Sequence, residues 1–468
     1  MANHRPNILI LMTDQQRADC MGCTGHPQIQ TPHMDRLAAQ GTHFTHACTT
    51  SPLCMPARAS FISGLYVHNH AMWANRGELL PREPSLFRHL QQAGYRTGHI
   101  GKSHYYEHRG FHMREREDYL HARGFHFVHE TTGPWATCRT DSYMTDLWRE
   151  RGLLQAFRDD YARRRQHGPA RSVWPSPLPT ELFMDSYIGG QAVRFVEGYD
   201  REEPFALFVG FGGPHEPWDA PGDYATLYDP AHTPAPVRPA EPGQWVPRHA
   251  AEWQRSGRVE PMSDEDVQRL RANYYGKISL IDHWFGQILA ACERRGLLDD
   301  LLVVFWSDHG EMAGDHGLLH KSRFFESALR VPLVLRWPGR IPAGQRSAAL
   351  AETVDLMPTI LEAVGVEAPD SCLGRSLWPA IREPQATVRE AVLSEVARAG
   401  RRNLMVRTDR YKYAVHDDAT PYMLYDLGED PQERNNLLGH PDAEPLEADL
   451  RGRLLRRLCE AQFVRTAP

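Results

Sequence analysis

The chain has 468 residues, 41% of them hydrophobic, and a formal net charge of −6. That is enough for one large α/β domain or two domains, and it gives no global attraction to nucleic acid or to an anionic membrane surface. The eight cysteines lack framework spacing, and no apolar run approaches membrane-spanning length, so a disulfide scaffold and a membrane protein are both disfavoured.

The first apolar run, Asn7 to Thr13, ends in Asp14-Gln15-Gln16 and reads as a buried parallel strand with polar residues at its carboxyl end. It is too short for a signal-peptide core, so no leader is expected. Cys20 and Cys23 form a lone C-x-x-C, read as loop chemistry rather than a metal or redox pair. Met34 to Gln40 predicts a short helix closed by Gly41.

Ser51 to Gly64 holds Cys54-Met55-Pro56-Ala57-Arg58. Pro56 suits the first turn of a helix that runs to Gly64. Cys54, just before it, would face free N–H groups and the positive dipole end, and Arg58 adds a fork for an oxyanion. On these residues alone a small buried thiol ahead of an ordinary helix stays open.

Leu86 to Ala93 predicts a helix. Tyr95 to Ile100 predicts a strand ending in Gly101-Lys102-Ser103-His104. Residues 105 to 180 lack periodicity and read as surface loops and short helices around a site mouth. Asp185 to Val196 reads as an amphipathic helix, and Phe205 to Val209 as a buried strand ending in Gly212-Gly213-Pro214-His215. The proline-rich stretch 217 to 262 reads as an excursion without a core of its own. Arg269 to Arg295 predicts a long helix capped by Gly296. Leu301 to Trp306 is a fourth buried strand, ending in Ser307-Asp308-His309-Gly310.

Strands alternating with helices indicate a doubly wound α/β sheet, whose ligands bind outside the carboxyl ends of the strands. Asp14, Gln15, Lys102, His104, His215, Asp308 and His309 are therefore expected to meet near Cys54. Val331 to Trp337 adds a strand and Val354 to Val364 a helix. After Pro369 the texture changes to short strands at Ala391–Val396, Asn403–Thr408, Tyr411–His416 and Tyr422–Leu427, then a charged helix from Glu444 to Phe463. This predicts an antiparallel sheet in a small second domain.

Two carboxylates, an amide and an imidazole at strand ends suit one divalent cation, although Asp-His-Gly alone is more often a turn. Lys102 and His104, taken singly, also read as an ordinary strand-end lysine and a loop histidine.

Cys54-x-Pro56-x-Arg58 resembles the signature of the sulfatase family, within the alkaline phosphatase superfamily. In that family the cysteine is oxidised by a formylglycine-generating enzyme to an aldehyde whose hydrate is the nucleophile. Met55, Ala57 and Ser63 depart from the commonest form of the signature but leave Cys-Pro-Arg intact. Gly94 to Lys102 resembles the second sulfatase signature, with Lys102 and His104 as its lysine and histidine. His215 matches a histidine after a middle strand. Lys321 matches a lysine that contacts the sulfate and the leaving group. Asn75 matches a substrate-side asparagine of some relatives, and Leu424-Tyr425-Asp426-Leu427 the closing strand.

The resemblance implies an alkaline-phosphatase-like sandwich. Residues 1–370 would form the catalytic α/β domain, with a large, mostly parallel sheet flanked by helices. Residues 371–468 would form a smaller C-terminal α+β domain with an antiparallel sheet. It also implies hydrolysis of a small-molecule or saccharide sulfate ester. Cys54, Arg58, Lys102, His104, His215 and Lys321 would be catalytic, and Asn75, Lys102, His215 and Lys321 would bind substrate. One divalent metal, calcium first and manganese second, would sit on Asp14, Gln15, Cys54, Asp308 and His309. A cytoplasmic setting without nucleic-acid or membrane partners is expected, and homo-oligomerisation is left open.

Asp14-Gln15 also occurs in the family's phosphonate monoester hydrolases, which keeps a phosphonate monoester or phosphodiester hydrolase as the alternative. Lys102 and His104 lean towards sulfate. A two-metal phosphatase lacks a second complete ligand set. If Cys54 is never converted, a non-catalytic anion-binding protein remains. Specificity is expected in residues 105–180, in 217–262 and in the small domain.

Overall fold

The computed structural model describes residues 5–168, 171–240, 262–398 and 400–463. Part of the excursion expected at 217–262 lies outside them. An eight-stranded sheet runs through the larger part of the chain in the order β5-β4-β6-β1-β7-β8-β2-β9. Its strands are β1 (Asn7–Asp14), β2 (Thr42–Phe44), β4 (Arg96–Gly101), β5 (Phe127–Glu130), β6 (Phe205–Pro214), β7 (Leu301–Ser307), β8 (Leu333–Arg336) and β9 (Gln345–Ser347). β4, β5, β6, β1 and β7 run parallel, whereas β8 is antiparallel to both β7 and β2.

Both faces of this sheet are buried, which is why its strands read as unbroken apolar runs. Leu9, Leu11, Val303, Phe305, Leu207 and Val209 enter one core. Ile8, Ile10, Met12, Leu302, Val304, Ala206 and Phe208 enter the other. The first core is covered by the helices Pro32–Ala39, Met184–Glu197 and Asp264–Arg294. The second is covered by Cys54–Ser63, Leu86–Gln92 and Leu356–Ala363. A short parallel pair, β3 (Ala47–Cys48) with β10 (Ala351–Glu352), lies beside them.

The last part of the chain forms a separate antiparallel meander of β11 (Val392–Arg398), β12 (Arg401–Arg407), β13 (Tyr411–His416) and β14 (Pro421–Asp426). Met405, Ala414 and Met423 pack against Met312, Leu318, Phe324 and Phe325. The other face packs against Leu450 and Leu454 of the terminal helix Glu444–Glu460. The small sheet thus supports the segment that carries Lys321. Ion pairs of Lys412 Nζ with Glu326 Oε1 at 2.7 Å and of Arg407 with Glu326 at 3.0 Å pin it there.

The large mostly parallel sheet and the separate antiparallel one match the expected architecture. Two regional readings need correction. Residues 105–180 hold a strand, β5, and the helices Tyr143–Glu150 and Leu154–His167, besides loops. The stretch after His215 is no coreless excursion, because Trp218 and Tyr228 are buried in the first core. All eight cysteines are free, and no helix among the described residues is long and apolar enough to cross a membrane.

Candidate active site

Four neighbouring parallel strands, β4, β6, β1 and β7, end side by side. Asp14 lies opposite Pro214, Thr13 opposite Ser307, and Gly101 opposite Gly210. The residues just past each strand therefore share one cleft, as expected for an open α/β sheet. The close approach of β4 and β6 needs glycine. Gly101 has φ +93°, and a Cβ there would come within 2.1 Å of the Gly210 carbonyl oxygen. With that gap closed, the Lys102 N–H donates to Gly210 O at 2.8 Å and Lys102 is aimed at Asp14.

The helix Cys54–Ser63 is pressed onto the second core by Phe61. Its ring lies 4.6 Å from Trp306 and 5.7 Å from Phe208. Gly64 closes the helix in the left-handed conformation. Cys54 is the first residue of this helix rather than the residue before it, and Leu53 is the N-cap. The N-terminus points at the strand ends, as the reading of Pro56 and Gly64 requires. Asn75 Oδ1 accepts the Met55 N–H at 3.0 Å, so Asn75 meets the first turn of this helix.

Asp14, Cys54, Asp308 and His309 are all buried, and one ligand atom from each lies within 4.8 Å of the others. Cys54 Sγ is 3.2 Å from His309 Nε2 and 3.9 Å from Asp14 Oδ1. His309 Nδ1 faces the Gly310 carbonyl at 2.9 Å, so Nδ1–H donates there and the Nε2 edge is turned to the cluster. Two carboxylate groups, an imidazole nitrogen and a side-chain position at a helix N-terminus fit a divalent cation.

Arg58, entirely buried, donates from Nη2 to Asp14 Oδ2 at 2.7 Å, from Nε to Asp308 Oδ2 at 2.8 Å and from Nη1 to the Lys102 carbonyl at 2.7 Å. The fork expected to face an oxyanion thus grips two carboxylates in this structure. Lys102 Nζ also pairs with Asp14. Burial opposes the Asp14 charge, yet Lys102 and Arg58 hold its carboxyl well below the usual range. At Cys54 burial and Asp14 push the thiol up, but Lys321, Lys102 and His309 outweigh them and bring it down to about 5. Burial pushes the His309 imidazole down, while Asp308 and Cys54 raise it to about 9.

A second group adjoins the first through Gln15. The Gln15 N–H donates to Asp308 Oδ1 at 3.0 Å, its Nε2 donates to Glu216 Oε2 at 2.8 Å and to Glu311, and its Oε1 accepts from Lys321 Nζ. Lys321 Nζ is 2.6 Å from His215 Nε2. His104 is half-buried beside Lys102, with its ring 4.8 Å from that of His108 and its Nδ1 without a hydrogen-bond partner. Burial, Lys102, His108 and Arg58 hold His104 well below the ordinary imidazole range, so its ring is neutral.

All the residues expected at the strand ends therefore gather in one cleft, joined by Cys54, Arg58 and Lys321. Glu216, Glu311 and His320 were not anticipated. Each stands one residue from a named group, at His215, Gly310 or Lys321, but only the folded chain brings their ligand atoms within 4.8 Å of one another. They form a second acidic group beside the first.

A model of the Sulfatase family matches residues 6–366. A second, described as N-sulphoglucosamine sulphohydrolase, C-terminal, matches residues 314–460. An arylsulfatase of Clostridium perfringens is 29% identical over 97% of this chain and 94% of its own length. A choline-sulfatase of Rhizobium meliloti is 30% identical over 94% of this chain and 84% of its own. The solved structure of a phosphonate monoester hydrolase of Agrobacterium radiobacter superposes with a TM-score of 0.80 at 26% identity, covering 98% of this chain and 96% of that one.

Proposed function

The chain belongs to the sulfatase family, and on that premise we propose that it hydrolyses sulfate monoesters with a nucleophile built from Cys54 and one divalent metal. The observation that carries this reading is the position of Cys54 Sγ. It opens a helix, inside a buried cluster with Asp14, Asp308 and His309. The names of the relatives, arylsulfatase and choline-sulfatase, support a sulfate ester as substrate. The alcohol would be a small molecule or a saccharide.

Asp14, Gln15, Asp308, His309 and position 54 would hold the metal, which supplies positive charge to activate a hydroxyl and hold the ester oxygens. Oxidised to formylglycine by a separate enzyme and hydrated, position 54 supplies the attacking oxygen and a second hydroxyl through which sulfate can leave. Arg58 holds Asp14 and Asp308 in place. Lys102 and Lys321 neutralise charge that develops on the sulfuryl oxygens. His215 and Lys321, 2.6 Å apart, hold a proton between them for the departing alcohol. His104, neutral and with a bare ring nitrogen, takes the proton of the remaining hydroxyl. Asn75 fixes the first turn of the helix and lines the substrate side. We place the division between catalytic and C-terminal domains near residue 370, where the sequence texture changes, ahead of the meander that starts at Val392.

A phosphonate monoester or phosphodiester hydrolase is the second reading. Asp14-Gln15 with His309, and the structural likeness to a phosphonate monoester hydrolase, favour it. Lys102 beside Asp14 and the neutral His104 favour sulfate. Mass spectrometry of the peptide spanning Cys54, with turnover on matched aryl sulfate and phosphonate, tests both. Formylglycine at 54 and preference for sulfate are expected. An unconverted cysteine in a fully active protein overturns the mechanism.

A further inference from the structure

We infer that Glu216 is a positioning residue that braces the leaving-group side of the site against its metal side, an inference that rests on the sulfatase reading above. Glu216 stands two residues past β6. Its Oε2 is 3.1 Å from His215 Nδ1 and 3.6 Å from Lys321 Nζ, and it accepts from Gln15 Nε2 at 2.8 Å. Its Oε1 is 3.3 Å from His320 Nδ1. One carboxylate thus touches the two groups assigned to protonate the alcohol and one group assigned to the metal.

On the first side, His215 Nδ1 is met by the Glu216 carboxylate and, at 2.7 Å, by the Glu216 carbonyl. Nδ1–H donates to these oxygens, which leaves Nε2 to Lys321. A carboxylate behind Nδ1 fixes the ring so that Nε2 faces Lys321. It thereby holds the His215–Lys321 pair in place for the proton that passes to the alcohol oxygen as the S–O bond breaks. Burial opposes the Glu216 charge, but its surroundings of His215, Lys321 and His320 hold its carboxyl well below the usual range.

On the second side, the Gln15 amide nitrogen gives hydrogens to Glu216 and to Glu311. Glu311 is itself fixed by the N–H groups of Ala313 at 2.9 Å and His320 at 2.5 Å. With the nitrogen committed, the Gln15 residue is held in place, its side-chain oxygen on Lys321 and its backbone N–H on the carboxylate of Asp308, which is assigned to the metal. Glu216, Glu311 and His320 could by composition hold a cation of their own. An amide N–H directed at both carboxylates makes them an acceptor brace instead. Outer partners of this kind set the orientation of metal ligands.

The test uses Glu216→Gln and Glu216→Asp in the intact, metal-loaded protein. A series of aryl sulfates of rising leaving-group pKa gives kcat/KM. Calorimetry with calcium or manganese alone, on chelated protein, gives metal affinity. Glu216→Gln should lose about 3-fold with nitrophenyl sulfate and about 30-fold or more with phenyl sulfate, because a poorer leaving group depends more on its acid. Its metal affinity should fall about 10-fold. Glu216→Asp should recover part of both and carries the same comparison should the glutamine variant not fold. A loss equal across leaving groups, or an unchanged metal affinity, overturns the role. Inactivity of the wild type on every aryl sulfate would instead sink the parent reading.

Discussion

Two buried charge networks lie on either side of the Cys54 helix, and they are built differently. In one, Arg389 pairs with Asp355 and with Glu352 at 3.3 Å, and Arg457 reaches Glu352 at 3.3 Å. Tyr66 donates to Glu352, and the N–H groups of Leu393, Glu352 and Arg375 fill the remaining acceptors. Two buried carboxylates meet two guanidiniums, and at the rim Glu460 joins Arg457 at 2.8 Å and Arg375 at 3.2 Å, which keeps the count even. In the other, four carboxylates, Asp14, Asp308, Glu216 and Glu311, meet three cations, Arg58, Lys102 and Lys321. These groups alone leave one negative charge in surplus; a proton on His309, raised to about 9, offsets it, and His309 must give that proton up to serve as a metal ligand. A balanced network clamps the terminal helix and β11 to the large domain. The other is completed by a further positive charge, either the proton on His309 or a bound cation. A divalent cation would turn the surplus into a single positive charge, the complement of a monoanionic ester.

The sharpest way to break the contrast is at its most reactive atom. Cys54→Ala and Cys54→Ser should lose turnover about 10³-fold or more while melting like the wild type, because Sγ holds no structural partner beyond His309 and Asp14. Substantial turnover in the alanine variant would remove the nucleophile assignment. Chelation comes next. Stripping metal should cost activity about 10²-fold or more, and one divalent ion per chain should restore it, given the several kcal/mol that such an ion supplies to transition-state charge. A fully active protein that elemental analysis shows to be metal-free would contradict the charge count. In the balanced network the effect should fall on stability instead. Arg389→Ala leaves Asp355 and Glu352 buried without their main partner and should cost about 3–5 kcal/mol in denaturant unfolding. A variant as stable as the wild type would show the clamp to be dispensable.

The same contrast explains what could be read from the sequence. β1, β6 and β7 were legible because both their faces are buried, so every residue is apolar. β5 was not. It has only four residues on the sheet edge, with Phe127 38% exposed, and no pattern distinguishes it from a loop. Asp14, Lys102, His215 and Asp308 were legible as polar residues at the ends of such runs. Glu216 and Glu311 were not, although each adjoins a named residue. Their roles are set by Gln15, 201 and 296 positions away in the chain. The grip of Arg58 on Asp14 and Asp308 was hidden for the same reason, since a motif shows the cation but not its partners.

The smallest effect is the choice of ester, and it follows from the count of charges. An aryl sulfate is a monoanion, whereas an aryl phosphate is mostly a dianion at neutral pH. With a divalent metal bound and the histidines neutral, the four carboxylates and three cations named above would leave the site at about +1. That charge balances a monoanion and leaves a dianion half compensated in a buried cleft. Catalytic efficiency for an aryl sulfate should therefore exceed that for the matching phosphate monoester by at least ~10-fold, equivalent to about 1.4 kcal/mol of transition-state discrimination. Lys102 sharpens the point. It pairs with Asp14 beside the sulfuryl position, so Lys102→Ala should lower kcat more than it raises KM, because its charge matters most as the S–O bond breaks. Phosphonate monoesters and phosphodiesters are also monoanions, so charge admits them as slower substrates. A clear preference for phosphonate over sulfate on matched aryl leaving groups would overturn the sulfatase reading and promote the phosphonate hydrolase.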